Sequence, residues 1–425
     1  MSPVPEILRN RDFRDVWLAS LVSNGGSWLQ IVASGWLILQ ATGSPAAVGA
    51  LALVTRAPAI ALSGYAGALA DRFDRRAVGI WTFLLQAVAA GALAVIQFVD
   101  GTQVWAIYVL TFLVGTGFAL GLPAMLALIP ALVPRERLSQ AVSMNAAGIN
   151  VARLAGPAIG GAVLAAFGAT VCFAVNAFSF LALVFVLMRL SPRPAAVRRG
   201  APARMREALW HAAHDRAIRR LLVGMALFTA LASPIQELAP VVADRLDAGA
   251  EGLGLLLGAM GGGALIGAWW LERLTARGLP RHRALPIATG TFAAGLAVVA
   301  ITPWLWLGLI AMAFSGAFWI WMFAATNTAV QLNAPPALLG RLLGLYQLSV
   351  IGPIAIGSTV AGAVAQVAGI EATLLGCAAL LGAWGVWSLR NAVPEIDGAR
   401  GGAAASGGER GDRVEDPQGD AALDL

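Results

Sequence analysis

No lysine occurs in this chain, and all 29 of its cationic side chains are arginine, which reflects genome composition before function. Charge of either sign is scarce. Only 12% of the 425 residues are charged and 58% are hydrophobic, whereas a soluble domain carries roughly 25% charge. That balance excludes a soluble globular protein and leaves a polytopic membrane protein. Cysteine and histidine are nearly missing, at two and three residues. Cys172 and Cys377 lie far apart within apolar stretches, so neither a disulfide framework nor a metal site is expected. His211, His214 and His282 fall in polar connections without acidic or cysteine companions, and are expected to be solvated. A membrane-embedded enzyme would need clustered His, Asp or Glu within its spans, and a sensor would need a folded output domain; the sequence offers neither. No Gly-Lys pair follows a strand, so no phosphate-binding loop or nucleotide hydrolysis is expected. No cofactor is implied.

What is present is organised around the stretch Gly67-Ala68-Leu69-Ala70-Asp71-Arg72-Phe73-Asp74-Arg75-Arg76, where an apolar helix end runs into acids and arginines. Such charge does not belong in hydrocarbon, so the membrane surface lies near Asp71. Segments long enough for a core roughly 30 Å thick then give twelve expected spans: 14–40, 46–70, 77–99, 104–132, 138–167, 170–190, 218–242, 252–271, 284–301, 304–332, 338–367 and 372–389. Their connections sort by charge. Arginines gather before the first span and after the second, fourth, sixth and eighth, while Asp100, Asp244, Asp247, Glu251 and Glu371 collect on the other side with Arg245 alone. The asymmetry places both termini in the cytoplasm. A net charge of +6 spread over short clusters reads as this orientation signal, and no nucleic-acid partner is expected. Residues 1–15 are polar and contain proline, so the first span is expected to act as the insertion signal.

Five regions follow: a cytoplasmic N-terminus at 1–13, a six-helix bundle at 14–190, a cytoplasmic linker at 191–217, a second six-helix bundle at 218–390 and a disordered tail at 391–425. The linker carries Pro192, Pro194 and Pro202 before a short amphipathic stretch at 205–214. The bundles repeat. A shift of 201 residues pairs Asp71-Arg72 with Glu272-Arg273, Gly115 with Gly316, Pro134 with Pro335, Gly156 with Gly357, Gly161 with Gly362 and Gly168 with Gly369. Repeats of this kind usually place a substrate path at their interface near mid-bilayer. Gly254, Gly258, Gly262, Gly263 and Gly267 set small residues one turn apart, which lets helices approach closely.

The Gly67 to Arg76 run resembles the signature motif of the major facilitator superfamily, and the resemblance extends over residues 10 to 390. Most members have Gly where this chain has Asp74. The Asp-Arg-Phe-Asp-Arg-Arg form is similar to the bacterial exporter branch that includes the enterobactin exporter and multidrug efflux proteins. So are Asn10-Arg11-Asp12-Phe13-Arg14, Gly35-Trp36-Leu37, Thr42-Gly43-Ser44-Pro45 and the run from Asn150 to Gly161. The last also resembles the antiporter motif of drug and proton exchangers. Span four departs from the pattern, because it lacks the arginine that many proton-coupled members keep. The resemblance implies an all-α transporter in the bacterial inner membrane, working as a monomer by alternating access. Its expected task is proton-driven export of a small amphipathic or anionic molecule of drug or siderophore type. An uptake carrier or a lysophospholipid flippase would share the architecture. It further implies a cytoplasmic latch of Asp71, beside Gly67 and Arg72, with Arg341, and a mirror pair of Glu272 with Arg137.

Three ionisable residues fall within the expected spans. Arg56 lies roughly 15 Å into span two at 1.5 Å per residue, Arg153 sits at similar depth in span five, and Glu237 belongs to the outer part of span seven. Intramembrane charges mark function by default. Glu237 either exchanges a proton or pairs with Arg56 or Arg245 as an outer gate; Arg153 is either a structural partner or a substrate contact. Asn24, Trp28, Gln30, Thr111, Thr116, Thr229, Gln236, Trp319 and Asn327 are polar or aromatic candidates for the path, on spans that line the cavity in that superfamily. Gly156-Pro157 breaks the ladder within span five, as a hinge or a kink.

Overall fold

The computed structural model describes residues 6–191, 205–278 and 280–391, and every regular element among them is helical. Thirteen α-helices follow in order: α1 (Arg11–Thr42), α2 (Pro45–Arg72), α3 (Arg75–Val99), α4 (Val104–Ala131), α5 (Leu138–Arg189), α6 (Met205–His214), α7 (Arg216–Ala232), α8 (Pro234–Glu237), α9 (Ala239–Arg245), α10 (Gly249–Ala276), α11 (Arg281–Ile301), α12 (Leu305–Asn333) and α13 (Leu339–Arg390). Among the described residues nine helices are long and apolar enough to cross a bilayer. α5 and α13, at 52 residues each, are long enough to cross twice. Each is broken once, at Gly168 (φ 80°, ψ 173°) and at Gly369 (φ 83°, ψ 158°), a backbone region open essentially to glycine. The two breaks are 201 positions apart and fall where the expected spans part. The expected amphipathic stretch at 205–214 is α6, while the remainder of the linker at 192–204 and the tail at 392–425 lie outside the described residues.

Local chemistry explains the corners. Gly43 takes a left-handed φ of 59° to end α1, Ser44 caps the amide of Ala47, and Pro45 opens α2, so Thr42-Gly43-Ser44-Pro45 is a stop-and-start signal. Asp74 caps the amide of Arg76 at the head of α3, and Asp215 does the same for Ile218 in α7. Arg75 and Arg76 also tie α3 to the ends of neighbouring helices. Arg76 donates to the carbonyls of Leu187 and Met188 at the end of α5, and Arg75 to that of Ala127 in α4. These carbonyls lie in the last turns of their helices, where the helix dipole is negative and favours a cation.

Span seven departs from the expected continuous helix at 218–242. It is three pieces, α7, α8 and α9, with breaks at Ser233 and Leu238. Pro234 and Pro240 cause this, since each removes an amide from the ladder and its ring crowds the preceding turn. A hydropathy profile does not register it, because proline is tolerated in a membrane helix where neighbours satisfy the freed groups.

α1–α5 pack among themselves, as do α7–α13. Between the two sets the main contacts are α2 with α13 and α5 with α10. Both lie at one face of the protein, the face of Gly43, Gly168 and Gly369. A Cβ on Gly49 would sit 3.0 Å from Gly362 Cα, and one on Gly254 would sit 2.8 Å from Gly161 Cα, so only glycine allows these backbones to meet. Gly161 and Gly362 are themselves related by the 201-residue shift. Ser44 Oγ donates to Gln366 at 2.7 Å and Thr359 Oγ1 to the Gly49 carbonyl at 3.2 Å across the same seam. Lipid tails are as apolar as leucine, so close backbone packing and such hydrogen bonds carry the association. At the opposite, arginine-bearing face the same helices are apart. Gly67 of α2 and Gly344 of α13 have open space where a side chain would project, and Val142 and Val151 of α5 are exposed.

Candidate functional site

Arg56 and Glu237 join the two sets of helices. Arg56 Nη2 lies 2.5 Å from Glu237 Oε1, while its Nη1 donates to the Ala52 carbonyl one turn back on α2. The side chains keep only 24% and 15% of their exposure, so the pair is largely shielded from water. Glu237 can occupy this place because it is the last residue of α8, between the two breaks of span seven. Discontinuous helices of this kind present unpaired backbone and side-chain groups to a path near mid-membrane. Beneath the Gly49–Gly362 seam Glu237 borders a recess lined by Trp28, Gly35 and Val48 of one set and Gln236 and Leu257 of the other. Of the two partners the sequence offers Glu237, Arg56 is the one engaged. Arg245 instead donates to the carbonyls of Ala300, Val299 and Thr302 at the end of α11 and lies 3.5 Å from Glu371.

Arg153, on α5, has no carboxylate within ion-pair distance among the described residues. It is exposed toward the space between the sets, with its guanidinium carbon 5.9 Å from the ring centroid of Phe323 on α12. Around it stand Trp319, stacked on Phe323 with centroids 5.2 Å apart, and Tyr346, whose hydroxyl donates to the Phe323 carbonyl at 3.2 Å. A cation beside aromatic walls can hold a flat or amphipathic anion by charge and by ring contact together.

The other candidates separate. Trp28 packs on Gly156, where an added Cβ would come within 2.6 Å of its ring, so Gly156-Pro157 is a close-packed point of α5. Gln30 does not face the path: it is 3% exposed and accepts a 2.7 Å hydrogen bond from Asn176 between α1 and α5. Thr111 and Thr229 are likewise buried, and Thr229 bonds the Ser349 carbonyl of α13. Asn24 donates to its own Ser20 carbonyl, Thr116 to that of Phe112, and Asn327 accepts from Gln331 one turn on. These three and Gln236 remain half-buried. At the arginine-bearing face the side chain of Asp71 lies outside the described residues. Arg341 there is half-buried with no ion pair among the described residues, Arg72 and Glu272 are exposed, and Arg137 is half-buried. His211 departs from its expected solvation, as its Nε2 is buried without a hydrogen-bond partner among the described residues. The glycine row on α10 serves two neighbours: Gly254 and Gly258 meet α5, while Gly263 and Gly267 meet Ala313 and Ala317 of α12.

Two helical sets closed at one face, parted at the other and bridged by an intramembrane ion pair define a membrane transporter of the major facilitator fold. Solved structures share it. A point mutant of the nucleoside transporter NupG superposes with a TM-score of 0.71 over 89% of this chain and 99% of its own, at 13% identity. A bacterial homologue of the iron transporter ferroportin gives 0.65 over 89% and 98%, at 18% identity. The sequence narrows the class, since the profile of the transmembrane secretion effector family matches residues 3–407. The chain belongs to that family, within the major facilitator superfamily. Its curated relatives include the multidrug efflux pump Tap of Mycolicibacterium fortuitum, 28% identical over 85% of this chain and 90% of the relative. They also include the enterobactin exporter EntS of Shigella boydii, 28% identical over 82% and 84%. These are multi-pass membrane transporters, not enzymes.

Proposed function

We propose that the protein is a proton-driven exporter of a small amphipathic or anionic molecule, working by alternating access across the bacterial inner membrane with twelve crossings and both termini in the cytoplasm. Breaking α5 and α13 at their glycines, counting the pieces α7–α9 as one crossing and including α1 supports the twelve. The arginine-bearing face then faces the cytoplasm, and the state described is closed outward and open inward. The observation that carries the reading is the Arg56–Glu237 pair across the seam. Paired, Glu237 is ionised and helps hold the outer face shut. A proton arriving from outside neutralises it, frees Arg56 and lets the sets rock apart; on return the proton leaves toward the cytoplasm as the pair re-forms. Gate and proton carrier are thus one residue. Arg153 receives the anionic substrate from the cytoplasmic side while the pair is intact, and Asp71 with Arg341 latches the inner face in the alternate state. The names of the efflux relatives favour the export direction. The test is proton flux coupled to substrate efflux in proteoliposomes: wild type couples the two, and Glu237→Gln uncouples them. Gradient-dependent efflux at the wild-type rate in Glu237→Gln would overturn the proton role.

A further inference from the structure

A second recess lies away from this path, within the C-terminal helices at the arginine-bearing face. It is lined by Arg220, His282, Thr289, Thr326, Trp384 and Ser388. The guanidinium carbon of Arg220 lies 4.1 Å from the ring centroid of Trp387 and 5.6 Å from that of Trp384. No carboxylate is within ion-pair distance of it among the described residues. Two indoles therefore hold a cation that lacks an anion. The repeat shows that the recess is not forced by the fold. At the positions 201 residues earlier than Thr326, Trp384 and Ser388 stand Met125, Leu183 and Leu187, which are 8%, 1% and 0% exposed within a filled apolar cluster. One half fills this place with hydrocarbon side chains, and the other sets the hydroxyls of Thr326 and Ser388, themselves 1% and 8% exposed, beside Arg220.

We propose that the recess binds the phosphate of an anionic phospholipid from the leaflet on that face. Charge complementarity and depth both argue for lipid. Arg216 lies one turn from Arg220 on α7, and Trp387 is 46% exposed beside the mouth. α6, packed on α7 and α13, exposes Leu209 and Trp210 at 51% and 62%, an apolar surface suited to the headgroup boundary. Basic pockets between membrane helices at this depth hold phosphate headgroups, and tryptophan supplies contact for the glycerol and upper acyl chain. A free phosphate would share the arginine but gain nothing from the surrounding indoles.

The test is native mass spectrometry of the full-length protein released from mixed phosphatidylglycerol and phosphatidylcholine micelles, with inorganic phosphate added in a parallel arm. Wild type and the control Arg135→Gln are expected to retain phosphatidylglycerol in preference to phosphatidylcholine. Arg220→Gln is expected to lose that retention by at least about fivefold, the size of one arginine–phosphate contact. Ser388→Leu, which installs the residue of the filled half and keeps Arg220, should lose it as well, and it decides the matter if Arg220→Gln does not fold. Retention unchanged in these variants, or equal retention of phosphatidylcholine by wild type, overturns the proposal. Displacement of the lipid by millimolar inorganic phosphate would assign the recess to a soluble anion and overturn it too.

Discussion

Arg56 of α2 and Glu237 of α8 meet at 2.5 Å across the boundary between the two helical sets, beneath the seam where Gly49 lies against Gly362. Neither residue has another ion-pair partner among the described residues, so each leaves the other uncompensated when the sets part. An intramembrane charge without a partner is costly, and the pair therefore favours the closed arrangement of this face.

Removing that charge is expected to weaken the outer closure. Glu237→Gln keeps the shape but not the ion pair, and should raise outward-open occupancy by about tenfold, the equivalent of roughly 1.4 kcal/mol. Accessibility of a cysteine placed at Gly35, in the recess below the seam, to a membrane-impermeant thiol reagent added from outside reports it.

Bulk at the seam should act the same way without touching a charge. Gly161→Val overlaps the Gly254 backbone where the two sets meet. Overpacking costs about 1–3 kcal/mol, which shifts the equilibrium by roughly 5- to 150-fold toward outward-open. The same thiol assay, together with lost efflux in a protein that still elutes as a single species, checks this.

Arg153 should discriminate by substrate charge. Arg153→Gln is expected to raise KM for an anionic substrate by about tenfold, the value of one charge-assisted contact, and to leave a neutral congener nearly unaffected. Efflux kinetics on such a matched pair decide it.

The helix breaks should show up as stability. Gly168→Ala and Gly369→Ala each force a side chain into a glycine-only backbone region, at a cost of about 1–3 kcal/mol, and should lower the melting temperature. Gly376→Ala, at an open helical position of α13, should leave it level or raise it.

Much of this was legible beforehand, for physical reasons. Hydrocarbon demands long apolar helices, so hydropathy marked the long helices, and the gaps left between the expected spans at 167–170 and 367–372 contain the breaks at Gly168 and Gly369. What escaped depends on tertiary placement. Gln30 could face the path or Asn176, and only the rotation of α1 against α5 decides that. Arg76 reaches carbonyls 111 residues away, a pairing that no spacing announces. Pro234 and Pro240 were visible, but whether they kink a helix or divide it depends on the neighbours that take up the freed backbone. Arg56 and Glu237 stood out as charges in hydrocarbon, and the partner choice between Arg56 and Arg245 awaited the fold.

The coupling of Glu237 to the alternation of the two helical sets is tested most directly by distances between spin labels at the arginine-bearing face. Tyr65 of α2 and Leu348 of α13 are exposed there at 78% and 44%, while Cys172 and Cys377 are buried and should escape labelling. With labels at these two positions, lowering the pH or introducing Glu237→Gln should move the distance distribution to a shorter population as the cytoplasmic face closes. A distribution that stays the same under both changes would contradict the account.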